Sequence, residues 1–176
     1  SLQLPAQIAM SPDGRRIYLA NKPVCCPGYS AVMLVNRNPA NGNLTPVADW
    51  CIEAPDAQTE CSSVAKSLID VYGIAYGPSG DLYTAGKSGQ RIGIFDINGS
   101  NGRVTPKPGV FGCLAAASQT DGCGKTLAQG GPVEWIVPSA DGRFVYAFGE
   151  GRIFTFAVDR APVCRNMSLN APFNTA

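Results

Sequence analysis

Histidine is absent from all 176 residues, which removes the commonest general base and the commonest transition-metal ligand together. Acid–base chemistry would then rest on a carboxylate, and Glu134 stands out because Trp135 follows it. A carboxylate beside an aromatic ring can bind a sugar, a cation or a substrate amine, or act as a base. Arg152 or Arg91 could stabilise an oxyanion near such a base. Gln7, Tyr72, Trp135 and Arg152 make up the candidate ligand-binding set. Each has a structural alternative: a Glu on an inner strand can satisfy backbone groups or meet an Arg, and a Trp can pack between elements. Both readings of Glu134 are open on the sequence alone.

The seven cysteines carry different chemistry. The spacing C-x9-C runs from Cys51 to Cys61 and again from Cys113 to Cys123. A zinc site would use C-x2-C spacing, usually with histidine, so neither metal nor cofactor is expected. The repeated spacing instead predicts two disulfides, each restricting the unfolded chain by about 2 to 3 kcal/mol. Cysteine usage of this density points to an oxidising compartment, so the chain is expected to be secreted, extracellular or periplasmic. Cys25, Cys26 and Cys164 have no assigned partners; Cys164 could meet either of the first two or a cysteine outside the chain. Sequons at Asn43, Asn98 and Asn166 would be usable in a eukaryotic secretory pathway.

The elements that must position these residues follow from composition and self-similarity. Twenty Gly, fourteen Pro and only 15% charged residues describe short strands joined by tight turns, an all-β chain. A net charge of +1 with no basic run beyond Arg15-Arg16 excludes a nucleic-acid footprint. No apolar stretch approaches the roughly 18 residues of a membrane helix. The opening SLQLPAQ, with neither Met nor a leader pattern, favours a fragment or processed product.

Three copies of a unit of roughly 60 residues emerge when the chain is set against itself. Ile8 to Ala20, Ile74 to Ala85 and Ile136 to Ala147 each place an apolar run, a Pro/Ser/Asp/Gly turn and a second run through Tyr18, Tyr83 or Tyr146. Each is a hairpin with its turn chemistry in place, strands a and b. A third strand follows at Val32 to Arg37, Ile92 to Ile97 and Ile153 to Asp159, and a fourth after Asn41-Gly42 and Asn101-Gly102. The expected architecture is one repeat domain over 1–176 of three four-stranded antiparallel β-propeller blades, with approximate units 4–66, 67–130 and 131–176. Three blades make an incomplete ring or part of a larger propeller, since rings close with about four to eight. The tyrosines are read as packing between blades. Asp13, Asp81 and Asp141 are read as capping their own turns.

The pattern SPDG-x-x-[IV]-Y, an apolar strand with a trailing acidic or Arg residue, then NG-x-L-T-P resembles the lactonase-like propeller superfamily, including the YVTN-type surface repeats. The cysteine-clasped loop resembles a secreted subgroup with C-x9-C between blades. The resemblance spans Leu4 to Arg160 and implies a propeller fold, whose hosts include lactone hydrolases, cycloisomerase-type enzymes and non-enzymatic surface proteins. Enzymatic members place His, Arg and acidic residues around the central funnel, and this chain has no His to match.

On such a fold the d-to-a and b-to-c loops share the funnel face, which gathers Gln7, Tyr72, Glu134 and Trp135 at the mouths of the inner strands. Lys22, Lys87 and Arg152 add one positive charge per blade, which could attract an anionic ligand or stand as solvated loop charges. The leading expectation is a non-enzymatic extracellular scaffold that contacts a protein partner, a glycan or copies of itself to complete or cover the blades. The alternative is a lactonase-like hydrolase or isomerase acting on a small molecule at the funnel face, with Glu134 as acid or base.

Overall fold

The computed structural model describes residues 5–21, 30–55, 61–116, 123–127 and 131–158. Cys25, Cys26, Cys164, Asn166 and Lys22 lie outside them. Three sheets follow one another along the chain. The first holds β1 (Pro5–Met10), β2 (Arg16–Asn21), β3 (Ala31–Arg37), β4 (Leu44–Glu53) and β5 (Ser63–Val64). The second holds β6 (Val71–Tyr76), β7 (Asp81–Gly86), β8 (Arg91–Ile97), β9 (Val104–Pro106), β10 (Cys113–Ala116) and β11 (Lys125–Leu127), with a 3-10 turn at Gly109–Phe111 before β10. The third holds β12 (Trp135–Pro138), β13 (Phe144–Gly149) and β14 (Arg152–Ala157).

The hairpins form where Pro-Asp-Gly and related turns allow them. Gly14, Gly80 and Gly142 take φ of +66°, +88° and +64°, a left-handed conformation that costs glycine little. Asp13 accepts the amide of Arg15 at 3.0 Å and Asp141 that of Arg143 at 2.9 Å, so both cap their own turns. Asp81 does not: it opens β7, accepts the Ser79 hydroxyl at 2.9 Å and pairs with Lys107 at 2.9 Å. The second turn is one residue shorter, which moves this aspartate from turn to strand.

Strand d departs from simple antiparallel pairing. β3 pairs Val35 with Pro46 and then Met33 with Cys51, so the segment ending at buried Trp50 bulges outward. In the second sheet β8 pairs Phe95 with Pro106 on β9 and Gly93 with Cys113 on β10, and the 3-10 turn fills the gap. A fifth strand is the larger addition to the expected four. β5 runs parallel to β4 through Ile52–Ser63, and β11 runs parallel to β10 through Leu114–Lys125. Parallel neighbours usually require a crossover of a dozen residues or more, commonly a helix. Here a short loop suffices because Cys51–Cys61 and Cys113–Cys123 close its neck, with Cα separations of 4.8 and 4.9 Å.

The core lies between sheets. One cluster joins Ala9, Tyr18, Ala20, Val32 and Leu34 of the first sheet to Ile74, Leu82 and Phe95 of the second. Another joins Tyr83, Ala85, Ile92 and Ile94 to Ile136, Val145, Ala147 and Phe156 of the third. Alternate residues of the second sheet therefore face opposite neighbours, as period-two side chains must in a sheet covered on both faces. β1 packs beside β6, and β6 beside β12. At Gly73 a Cβ would stand 2.7 Å from the Glu134 carbonyl oxygen, so glycine there lets the third inner strand approach closely.

Candidate functional site

The approach at Gly73 brings the entrances of β6 and β12 together. Asp70, just before β6, has φ of +51° and is buried. Its carbonyl accepts the Lys87 amide at 2.9 Å, and its carboxylate accepts the Ser88 amide at 3.1 Å and the Ser88 hydroxyl. The β7–β8 turn is thus tied to the start of the neighbouring inner strand. From that turn the Lys87 ammonium reaches Oε1 of Glu134 at 2.6 Å and lies 5.4 Å from the centroid of the Tyr72 ring. Glu134 is held from behind, its amide donating to the Phe148 carbonyl at 2.8 Å.

Lys87, Glu134 and Tyr72 therefore converge at one edge of the funnel, with both charged side chains partly open to water. The hydrogen bond and charge of Glu134 hold the Lys87 ammonium above its usual range, so it remains cationic through neutral pH. The arrangement can offer a fixed positive charge, a carboxylate and an aromatic face within reach of one small ligand.

The other candidates are placed differently. Gln7 turns its amide oxygen to the Ile74 amide at 2.9 Å, bridging β1 to β6. Trp135 is 58% exposed, on the face of the third sheet that turns away from the second. Arg152 is exposed at the start of β14, opposite Gly149, and makes no contact with Glu134 among the described residues. Arg91 is buried and donates to the Lys66 carbonyl at 2.9 Å. Asn43 and Asn98 are exposed in turns, and the Asn98 side-chain oxygen accepts the Ser100 amide at 3.0 Å. Among the described residues no group of three or more His, Cys, Asp or Glu converges as a metal site would, and no helix is long and apolar enough to cross a membrane.

The sequence reading set Lys87 at the funnel mouth, as an anion attractor or a solvated charge, without pairing it with Glu134, and it passed over Asp70. The alignment of Lys87 with Lys22 and Arg152 was a signal for the first; a lone Asp before a strand carries none. An open cleft of about 500 Å³ lies elsewhere, on the outer rim between Trp50, Ser62 and Ser63 of the first sheet and Asp96 to Thr105 of the second. Asp96 there is engaged by Lys107, and Trp50 is buried, so the cleft offers fewer uncommitted groups than the Lys87 cluster.

No family model and no curated protein matches the sequence. Solved structures do. A Bacteroides uniformis protein provisionally named a 6-phosphogluconolactonase superposes over 98% of this chain and 44% of its own, with TM-score 0.65 and 18% identity. The fold is a β-propeller. The arc of three blades also matches a Bacteroides fragilis protein of the same provisional name over 96% of this chain and 44% of that one, with TM-score 0.59 and 17% identity. The periplasmic gluconolactonase of Pseudomonas aeruginosa matches over 87% and 39%, with TM-score 0.55 and 15% identity. The arc thus spans less than half the length of these propellers.

Proposed function

We propose that the arc belongs to a lactonase-like propeller that hydrolyses a small lactone at the funnel face, with blade units near 4–66, 67–130 and 131–176. The observation that carries this reading is the convergence of Glu134, Lys87 and Tyr72 at the inner-strand mouths. The names given to the neighbours, gluconolactonase and 6-phosphogluconolactonase, supply the substrate class. The two disulfides support an oxidising compartment, secreted or periplasmic.

The chemistry divides among the three side chains. The Glu134 carboxylate takes a proton from water as its oxygen adds to the lactone carbonyl. The Lys87 ammonium faces the oxyanion that develops and would also attract a phosphate or carboxylate on the substrate. Collapse breaks the ring C–O bond, the ring oxygen takes a proton, and a hydroxy acid leaves. Tyr72 offers a ring face to the sugar-like skeleton.

The test is acid release from δ-gluconolactone and from its 6-phosphate at neutral pH. The chain should exceed spontaneous hydrolysis, Glu134→Gln should lose about 10²- to 10⁴-fold, and Lys87→Met about 10²- to 10³-fold. Full turnover by Glu134→Gln removes the carboxylate from the mechanism. No turnover above background returns the arc to the scaffold reading.

A further inference from the structure

The turns that follow β3 and β8 are built alike and differ at one decisive position. Asn38 and Asn98 each begin a turn, their side-chain oxygens accepting the amides of Ala40 at 2.9 Å and Ser100 at 3.0 Å. Their carbonyls accept the amides of Gly42 at 2.8 Å and Gly102 at 2.7 Å. Pro39 follows the first asparagine and Gly99 the second. Proline has no amide N–H, whereas the Gly99 amide meets no acceptor among the described residues. A Cβ on Gly99 would meet nothing within 4 Å, so this amide also stands without crowding.

An amide nitrogen that follows an asparagine can attack the side-chain carbonyl carbon when it is free to lose its proton, which is one reason asparagine is thermolabile. Asn-Gly pairs stand at Asn41-Gly42, Asn98-Gly99 and Asn101-Gly102. In the first and last of these the glycine amide is already donated, Gly42 to Asn38 and Gly102 to Asn98, so deprotonating it breaks a hydrogen bond. At Asn98 the nucleophile is unengaged and the carbonyl is prepared for it. Asn98 Oδ1 accepts the Ser100 hydroxyl at 2.6 Å and the amides of Ser100 at 3.0 Å and Asn101 at 3.4 Å. These donors sit where negative charge grows as the carbonyl is attacked. Asn98, Gly99 and Ser100 are all exposed, so water reaches the reacting atoms.

We propose that Asn98 is a site of spontaneous deamidation, and that its conversion loosens the joint between the first and second blades. The Gly99 nitrogen loses its proton to hydroxide and bonds to Asn98 Cγ, and Nδ2 leaves as ammonia, taking a proton from water. Water then opens the cyclic imide. Opening at the Cγ carbonyl leaves aspartate; opening at the main-chain carbonyl leaves isoaspartate, with the former side-chain methylene now part of the backbone. The turn is where such an insertion matters. The carbonyls of Gly99 and Ser100 accept the Arg16 guanidinium at 3.1 and 2.9 Å, and the Tyr18 hydroxyl donates to the Gly102 carbonyl at 2.9 Å. An added methylene ahead of Gly99 moves both carbonyls off Arg16, and the joint loses its hydrogen bonds from a charged donor. The matching turn of the first blade is closed to this chemistry at Asn38 by Pro39.

Peptide mass mapping of the 176-residue chain, made in a host that adds no N-glycan, tests this during incubation in mildly alkaline buffer. Fragment masses separate Asn98 from Asn101. Asn98 should exchange its amide for a carboxyl, as aspartyl and isoaspartyl products, at least about fivefold faster than Asn41 or Asn101, whose glycine amides must first break a hydrogen bond. Gly99→Ala sets its methyl in open space and crowds only the attacking nitrogen, so it should slow the conversion and leave the fresh fold intact. The aged chain should unfold at lower urea than the fresh one. Arg16→Met keeps a stem beside Gly102 and loses the guanidinium, and in that variant ageing should lower the midpoint much less. Conversion at Asn98 no faster than at the other two asparagines, or a Gly99→Ala chain that converts as wild type does, would overturn the site. A midpoint unmoved by ageing, or one that falls equally in wild type and Arg16→Met, would overturn its coupling to the joint.

Discussion

Tyr18, Tyr83 and Tyr146 occupy one position in three repeats and meet three different surroundings. Tyr18 is fully buried and donates to Gly102; Tyr83 is buried and donates to Asp81 at 3.3 Å; Tyr146 is half-buried. Burial pushes the Tyr18 phenol up to about 12 and the Tyr83 phenol higher still. Both native phenols hold their protons where the unfolded chain releases them. Stability is therefore fully present below pH 10 and falls as pH rises from there through about 12. Tyr18→Phe should cost about 1 kcal/mol near neutral pH through the lost hydrogen bond and should flatten this alkaline decline, as urea midpoints from pH 8 to 11 would report. A steep decline unchanged in the variant would move its cause away from Tyr18. The packing role of Tyr18 and Tyr83 was legible because it repeats with the strands. The Lys87–Glu134 pair was not, because it joins two repeats and depends on the path that Asp70 imposes on one turn.

At the scale of elements, the hairpins could be read from Pro-Asp-Gly chemistry because each turn states its own conformation locally. β5 and β11 could not. Ser63-Val64 is too short for alternation to show, and its pairing depends on a loop folded back by a crosslink. The cysteine spacing marked where that crosslink stands without showing what it positions. Removing Cys51 and Cys61 together as serines should cost about 2 to 3 kcal/mol in chemical denaturation, with amide protection lost first at Ala65, whose amide donates to the Glu53 carbonyl on β4 at 2.7 Å. Equal protection in the variant would mean that the short parallel strand holds without its clasp. The strand-d bulges escaped for a related reason: pattern alone reads β4 as continuous, whereas the register slips between Met33 and Val35 so that Trp50 can enter the core.

For the whole molecule, the core clusters among the described residues each join one blade to the next, so stability is approximately a sum of blade and joint contributions. The second blade has a core cluster on both faces, while the first and third each have one. Hydrogen exchange on the 176-residue chain should accordingly find β7 and β8 slowest and β13 and β14 faster; uniform protection across the three would indicate a single cooperative unit. The repeat period made this order legible. The parallel fifth strands bear on solubility as well. A sheet whose last strand shows a long row of unpaired amides and carbonyls recruits other chains. β5 and β11 occupy that position along part of β4 and β10, each tethered covalently at its base. The disulfides thus act as guards on the rim, and reducing them turns two protected margins into templates for aggregation.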